Sequence, residues 1–113
     1  AVNQTTAALK AEGFGVLTEI DVQSTLKKKL DRDFRRYLIL GACNPPLAHK
    51  VLEAEPPIGL LLPCNVVVQE TPNRDVEVSI ASPKAMFTLV ENSQVAPIAQ
   101  EVEERLRRVL AAI

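Results

Sequence analysis

The segment Tyr37–Cys43 constrains the fold most, because it is almost wholly apolar and rich in residues that favour strands. A strand of this kind is typical of the centre of a sheet that is covered on both faces. Asn44 and Pro45 follow at once and favour a helix start. The asparagine oxygen can accept from free backbone N–H groups, and proline has no N–H to leave unpaired. We therefore predict a central strand that ends directly at a helix.

The other patterns predict an α+β fold in the order α-β-α-β-α-β-β-α-α. We expect a two-layer structure in which helices pack on a mixed, mostly antiparallel sheet of about four strands. The helix that starts at Asn44-Pro45 is predicted to end before Pro56, the other helices are predicted at residues 2–12, 22–30, 82–90 and 95–113, and the remaining strands at 14–20, 64–70 and 76–81. The last helix has the clearest pattern, because its apolar residues recur every three or four positions.

Helices on one side of the sheet cannot cover both faces of strands as apolar as residues 37–42 and 65–68. A second copy of the same chain could cover the other face with its own sheet, and no different partner protein is then required. The sequence therefore predicts a homodimer in which the partner packs on the open face.

The composition of this 113-residue chain is that of an ordinary globular protein, with 47% hydrophobic residues, 24% charged residues and a net charge of -1. This balance gives no overall field that would attract nucleic acid or an anionic membrane. The longest apolar stretches, such as Leu60-Leu61-Leu62, are far shorter than the ~20 residues that span a bilayer. We expect one domain of residues 1–113 and no membrane contact.

The two cysteines predict a reducing, cytoplasmic environment, because two thiols in a chain of this length do not make a disulfide framework. The chain opens with Ala1, and residues 1–13 lack the basic and apolar blocks of a signal peptide. We expect that residues before Ala1 have been removed, either by processing or by trimming.

Cys43 and Cys64 stand in similar contexts, Gly41-Ala-Cys-Asn-Pro-Pro46 and Leu62-Pro-Cys-Asn-Val66. Each is followed by asparagine and lies near proline. Cys43 ends one predicted strand and Cys64 begins the next, which would bring both to one edge of the sheet. The candidate ligand-binding residues at this edge are Cys43, Asn44, His49, Cys64 and Asn65.

Three interpretations of these residues stay open. Two thiolates and the His49 imidazole are soft ligands suited to zinc or copper(I), although cysteines 21 positions apart match no standard zinc knuckle. The N–H groups at the helix start would instead lower the pKa of Cys43 and make its thiol reactive. In the third interpretation both cysteines are small buried hydrophobic residues, and His49 lies on the surface beside Lys50 and Glu53.

The segment from Lys27 to Tyr37 carries six positive and two negative charges, together with Phe34 and Tyr37. Basic residues between aromatic ones can bind phosphate and stack on bases. However, a basic run in a domain of net charge -1 is typically a solvated face, and these aromatics are typical anchors of a helix-to-strand loop. We therefore expect no nucleic-acid partner here.

Three segments resemble the bacterial and archaeal domain-of-unknown-function family 302: Glu12-Gly-Phe-Gly-Val-Leu17, Leu40-Gly-Ala-Cys-Asn-Pro-Pro-Leu-Ala48 and Gly59-Leu-Leu-Leu-Pro-Cys-Asn-Val-Val-Val68. The resemblance covers nearly the whole chain. It implies a small α+β fold that is dimeric, without established activity or cofactor, and it supplies no catalytic residue. Members commonly carry a strand before the first helix, whereas Ala1 to Lys10 leave no room for one.

The sequence thus predicts a domain that binds a small ligand near Cys43, Asn44, Cys64 and Asn65. A thiol-dependent enzyme, a redox carrier or a soft-metal protein that uses Cys43 and Cys64 is a second hypothesis. A third hypothesis is a structural or interaction module that acts through its dimer surface. No substrate, reaction or cofactor follows from the residues.

Overall fold

The structure is a computed structural model that describes residues 2–113, so the expectation about residues before Ala1 lies outside the described residues. Helices and strands follow the predicted order, with a 3₁₀ helix before β3 and another after α4. The elements are α1 (Val2–Ala11), β1 (Gly15–Asp21), α2 (Val22–Leu30), β2 (Tyr37–Cys43), α3 (Pro45–Ala54), a 3₁₀ helix (Pro56–Leu61), β3 (Cys64–Glu70), β4 (Val76–Ile80), α4 (Pro83–Met86), a 3₁₀ helix (Phe87–Leu89) and α5 (Val95–Ala111).

Within residues 2–113, the four strands form one open sheet in the order β1-β2-β3-β4, and each neighbouring pair is antiparallel. The predicted α+β class and the sheet of about four strands are confirmed. β2 and β3 lie at the centre, where each is hydrogen-bonded on both sides. The apolar character of β2 therefore fits an internal strand.

The main core lies between the sheet and the helices α1 and α5. Leu40 and Ala42 of β2 point to this face, and they are paired in register with Val66 and Cys64 of β3. α5 presents its buried stripe to them, because its apolar residues recur at helical spacing. Its members in this core are Val102, Leu106 and Val109.

The other face of the sheet exposes an apolar row. Ile20, Ile39 and Val67 are paired with one another in register across β1, β2 and β3, and none of the three is buried. The chain has an accessible surface of 7319 Å². A folded monomer of this mass exposes about 6,100 Å². The excess surface fits a sheet that its own helices cover on one face.

Gly41 sits in β2 where two other segments approach it closely. It is paired with Thr18 of β1 and Asn65 of β3. A Cβ atom built on Gly41 would lie 2.1 Å from Thr18 Oγ1 and 2.8 Å from Pro63 Cγ. No real Cβ atom approaches other atoms this closely, so this position requires glycine for space.

Replacing Gly41 by alanine is expected to destabilise the protein by about 1–3 kcal/mol, because overpacking forces the backbone and neighbouring side chains to shift. Gly15→Ala is the matched control. Gly15 also lies on a strand, but a Cβ there meets nothing within 4 Å. Urea denaturation of both variants measures the difference. Equal midpoints for Gly41→Ala and Gly15→Ala would contradict the close approach.

Candidate functional site

The end of β2 and the start of β3 meet at one end of the sheet. Ala42 is paired with Cys64, and Cys43 is paired with Gly15 at the start of β1. Both cysteines therefore lie at this end of the sheet. Because successive strand residues point to opposite faces, Cys64 shares the helix-covered face with Ala42, whereas Cys43 belongs to the opposite face.

A cavity of about 350 Å³ wraps around this end of the sheet and is bordered by both cysteines. Its floor is formed by buried core residues such as Phe14, Ala42 and Val102. Leu17 and Leu52 are lining residues that remain exposed, and they mark the mouth. The volume falls within the range of roughly 300–1,000 Å³ that is usual for small-molecule pockets.

Asn44 joins three segments beside the cavity. Its side chain is buried, and its Oδ1 accepts a hydrogen bond from the N–H of Leu47 at 3.3 Å, so it caps α3. Its Nδ2 donates to the carbonyl of Glu12, just after α1, at 3.5 Å. The same residue therefore ends β2, starts α3 and contacts the connection between α1 and β1.

The charges around Asn44 are paired with one another. Arg105 of α5 donates to the carbonyl of Glu12 at 2.9 Å and forms an ion pair with Glu101 at 3.0 Å. Arg108 pairs with the Glu12 carboxylate at 3.0 Å.

Gly13 also lies close to Asn44. It has φ 86°, and a Cβ atom there would lie 2.9 Å from Asn44 Nδ2. These contacts fix the end of α1 against Asn44 and α5.

Burial raises the pKa of both thiols above the ordinary value of 9.0. For Cys64 the pKa rises to about 11, first because of burial and then because of the nearby Cys43 charge. Burial disfavours the thiolate, since an ion loses hydration in an apolar site. One of the three interpretations, a reactive Cys43, needs a pKa lowered by the start of α3, whereas the pKa of Cys43 is raised. At neutral pH both residues are thiols.

The structure brings Cys43, Asn44 and Cys64 to the cavity, whereas His49 and Asn65 lie outside its lining. His49 is exposed on α3 and contacts Glu53 one turn later, with Nε2 3.0 Å from Oε1. Asn65 is exposed and faces away from the core, because it pairs with Gly41 across the sheet. The helical turn between Asn44 and His49 thus directs the imidazole to solvent.

In the part of the chain that the structure describes, no three His, Cys, Asp or Glu side chains are grouped to hold a metal ion. The arrangement around Cys43 and Cys64 therefore offers two neutral thiols and a buried amide.

Sequence patterns did not reveal how Phe14, Thr18, Phe87 and Val102 meet at the cavity. Thr18 comes close because the pairing of β1 with β2 shifts by one residue between Val16 and Thr18. The helical spacing of α5 marks Val102 as buried. It does not tell which strand end Val102 faces, because that depends on packing between distant segments.

The basic segment of residues 27–37 uses several of its side chains in contacts within the chain. Lys27 lies 3.0 Å from Asp31 and 3.4 Å from Asp33 in ion pairs. The Arg35 guanidinium lies 4.4 Å from the centre of the Phe34 ring. These contacts fit the expected solvated face. From residue 2 onward, no helix is both long and apolar enough to cross a membrane.

The chain belongs to the family described as Domain of unknown function DUF302, whose sequence model matches residues 1–113. It is similar to a solved structure described as an uncharacterized conserved protein DUF302 from Bacillus stearothermophilus. The two share 30% sequence identity with a TM-score of 0.89, over 98% of this chain and 86% of that one. Among curated proteins, none matches the chain. The family resemblance predicted from the cysteine-containing segments is confirmed.

Alkylation of Cys64 is expected to be slow at pH 8 and to rise with pH around a midpoint near 11. A pKa of about 11 leaves about a hundredfold less thiolate at pH 8 than a pKa of 9.0, and the thiolate is the species that reacts. The rate constants can be measured on the wild type with iodoacetamide at low conversion, where peptide masses separate labelling at Cys64 from labelling at Cys43. Both cysteines stay in place, because Cys43 contributes to the raised pKa of Cys64. A midpoint at or below pH 9 for Cys64 would show that the site stabilises thiolate.

Proposed function

We propose that this protein is a homodimeric small-molecule-binding domain whose ligand occupies the cavity beside Cys43, Asn44 and Cys64. The observation that carries the proposal is the cavity of about 350 Å³ at the end of the sheet. Protein interiors are otherwise close-packed, with few voids larger than a water molecule. A space of this size next to the two distinctive Cys-Asn segments is therefore the best candidate for a binding site.

The dimeric part of the proposal is supported by the apolar row of Ile20, Ile39 and Val67. The chain exposes about 1,200 Å² more surface than a monomer of its mass ordinarily does. A standard protein interface buries about 800 Å² on each partner. The chain as a whole thus exposes enough additional surface for a partner of standard size, and an identical sheet would match the apolar row of the open face.

A thiol-dependent reaction is the second candidate, and two observations bear on it. Cys43 and Cys64 both border a cavity of ligand size, which would place a substrate near sulfur. On the other hand, burial raises the pKa of both thiols, and a nucleophilic cysteine needs its thiolate. Ligand binding requires no ionised sulfur, so we favour it over catalysis.

Two free thiols are consistent with the cytoplasmic location that the sequence predicts. A purely structural or interaction module is a third candidate, favoured by the exposed apolar row on the sheet. That role leaves the cavity beside the cysteines without a use, and we therefore rank it below ligand binding.

Ligand binding can be tested with a panel of indole, benzoate and glucose, followed by the backbone amide signals of the protein. Saturable shifts centred on Cys43, Ala48 and Cys64 are expected for at least one probe. Ala48 lines the cavity from α3, so Ala48→Phe should fill it and weaken binding by at least about tenfold. Ala96→Phe is the matched control, since Ala96 is an exposed helical alanine outside the lining.

A folded Ala48→Phe variant that binds as well as Ala96→Phe would overturn the cavity as the site. So would the absence of saturable binding at the cavity by these three probes together with straight-chain alcohols, octanoate and octylammonium. Thermal melts of both variants show whether each is folded.

Dimerisation can be tested by Ile20→Lys, which places a charge in the apolar row. Ile20 is 48% exposed, so the monomer tolerates the lysine, whereas burial of that charge in an interface is costly. The variant is expected to be monomeric by light scattering at concentrations where the wild type is dimeric. Leu89→Lys is the control, because Leu89 is 79% exposed and lies away from the sheet. A wild-type monomer at micromolar concentration would refute the dimer.

A further inference from the structure

The cavity beside Cys43 and Cys64 has an unusual chemical lining for a ligand site. Sixteen of the described residues line it, none of these carries a charged side chain, and most are aliphatic or aromatic. The charged residues beside Asn44 are engaged elsewhere, since Arg105 pairs with Glu101 and Arg108 pairs with Glu12. A charged ligand group inside the cavity would therefore have no ionic partner among the described lining residues.

The polar groups that do line the cavity are weak or already in use. The Asn44 amide accepts from Leu47 and donates to Glu12. Cys43 and Cys64 are thiols at neutral pH, and sulfur is a poor hydrogen-bonding group. Thr18 also lines the cavity and is exposed, so its hydroxyl can form a hydrogen bond with a ligand. Thr18 follows Leu17 at the mouth, so the polar end of a ligand would lie there.

We infer that the cavity takes an uncharged ligand with an alkyl or aromatic body, whose hydroxyl or carbonyl group lies at the mouth beside Thr18. The inference rests on the proposed ligand-binding function and names the ligand class. The cavity has a volume of about 350 Å³. A water-sized group occupies ~30 Å³, so the cavity holds about a dozen such groups, and we expect a ligand of about a dozen non-hydrogen atoms. Water in an apolar cavity finds few hydrogen-bond partners, so an apolar body displaces it favourably.

A series of straight-chain alcohols tests the apolar body. We expect the dissociation constants of 1-hexanol, 1-octanol and 1-decanol, measured through the amide signals of the wild type, to fall about fourfold per added methylene. The gain should stop near 1-dodecanol, because the chain then exceeds the room in the cavity. A constant affinity along the series would overturn the inference, since it would mean that the chain does not enter an apolar space.

Octanoate and octylammonium test the requirement for an uncharged ligand, because each matches 1-octanol in chain length. Both are expected to bind at least about tenfold more weakly. When the chain is fully inserted, the ionic group lies against apolar residues of the mouth such as Leu17 and Leu52, where it loses part of its hydration without gaining an ionic partner. Equal or tighter binding of either ion would overturn the inferred ligand class while leaving the proposed function intact. The absence of binding at the cavity by alcohols, by both ions and by the indole, benzoate and glucose panel would overturn both.

Ala48→Leu provides a graded version of the same test. Leucine adds three carbon atoms to the side chain, which should reduce the free volume of the cavity by about that amount. The chain length at which affinity stops rising should then be about three methylenes shorter. Ala96→Leu is the control and should leave the limit unchanged. If binding of 1-octanol is lost as the protein concentration rises and dimer forms, a side chain of the second copy fills the cavity and the inference is wrong.

Discussion

The buried amide of Asn44 is the interaction on which the site depends. It satisfies the N–H of Leu47 at the start of α3 and contacts the carbonyl of Glu12 after α1. Without that cap, the first turn of α3 would lose a hydrogen bond that is worth about 1 kcal/mol. The larger consequence is geometric, because the cap fixes the angle at which α3 leaves β2. α3 provides one wall of the cavity and β2 provides the end of the sheet, so their angle decides whether a space remains between them.

Small residues keep that space open. Gly41 allows Thr18 and Pro63 to come close to β2, and Ala42, Ala48 and Gly59 line the cavity with little side-chain volume. Larger side chains at these positions would fill the space from within. The neighbouring walls cannot collapse into it easily, because the strands are hydrogen-bonded in a fixed register and α3 is capped. The cavity is thus a consequence of a rigid frame that is lined by small residues.

The parts of this arrangement that could be predicted from the sequence are the local ones. The cap at Asn44 follows from the Asn-Pro pair, and the buried stripe of α5 follows from its helical spacing. The cavity could not be predicted, because it depends on which residues of distant segments face the same strand end. The shift in register before Thr18 and the approach of Phe87 and Val102 leave no signal in neighbouring residues. His49 illustrates the same limit, since its distance along the helix from Cys43 did not reveal that it faces solvent.

The two proposed surfaces of this protein are adjacent, which has a consequence for both. Thr18 and Gly41 are paired on the open face of the sheet, and the next paired row on that face is Ile20 and Ile39. Thr18 lines the cavity, whereas Ile20 belongs to the proposed dimer surface. Residues two apart on a strand lie about 7 Å from each other, so a partner on the apolar row reaches the mouth of the cavity. If ligand and partner both contact this mouth, linkage requires that each change the affinity of the other by the same factor.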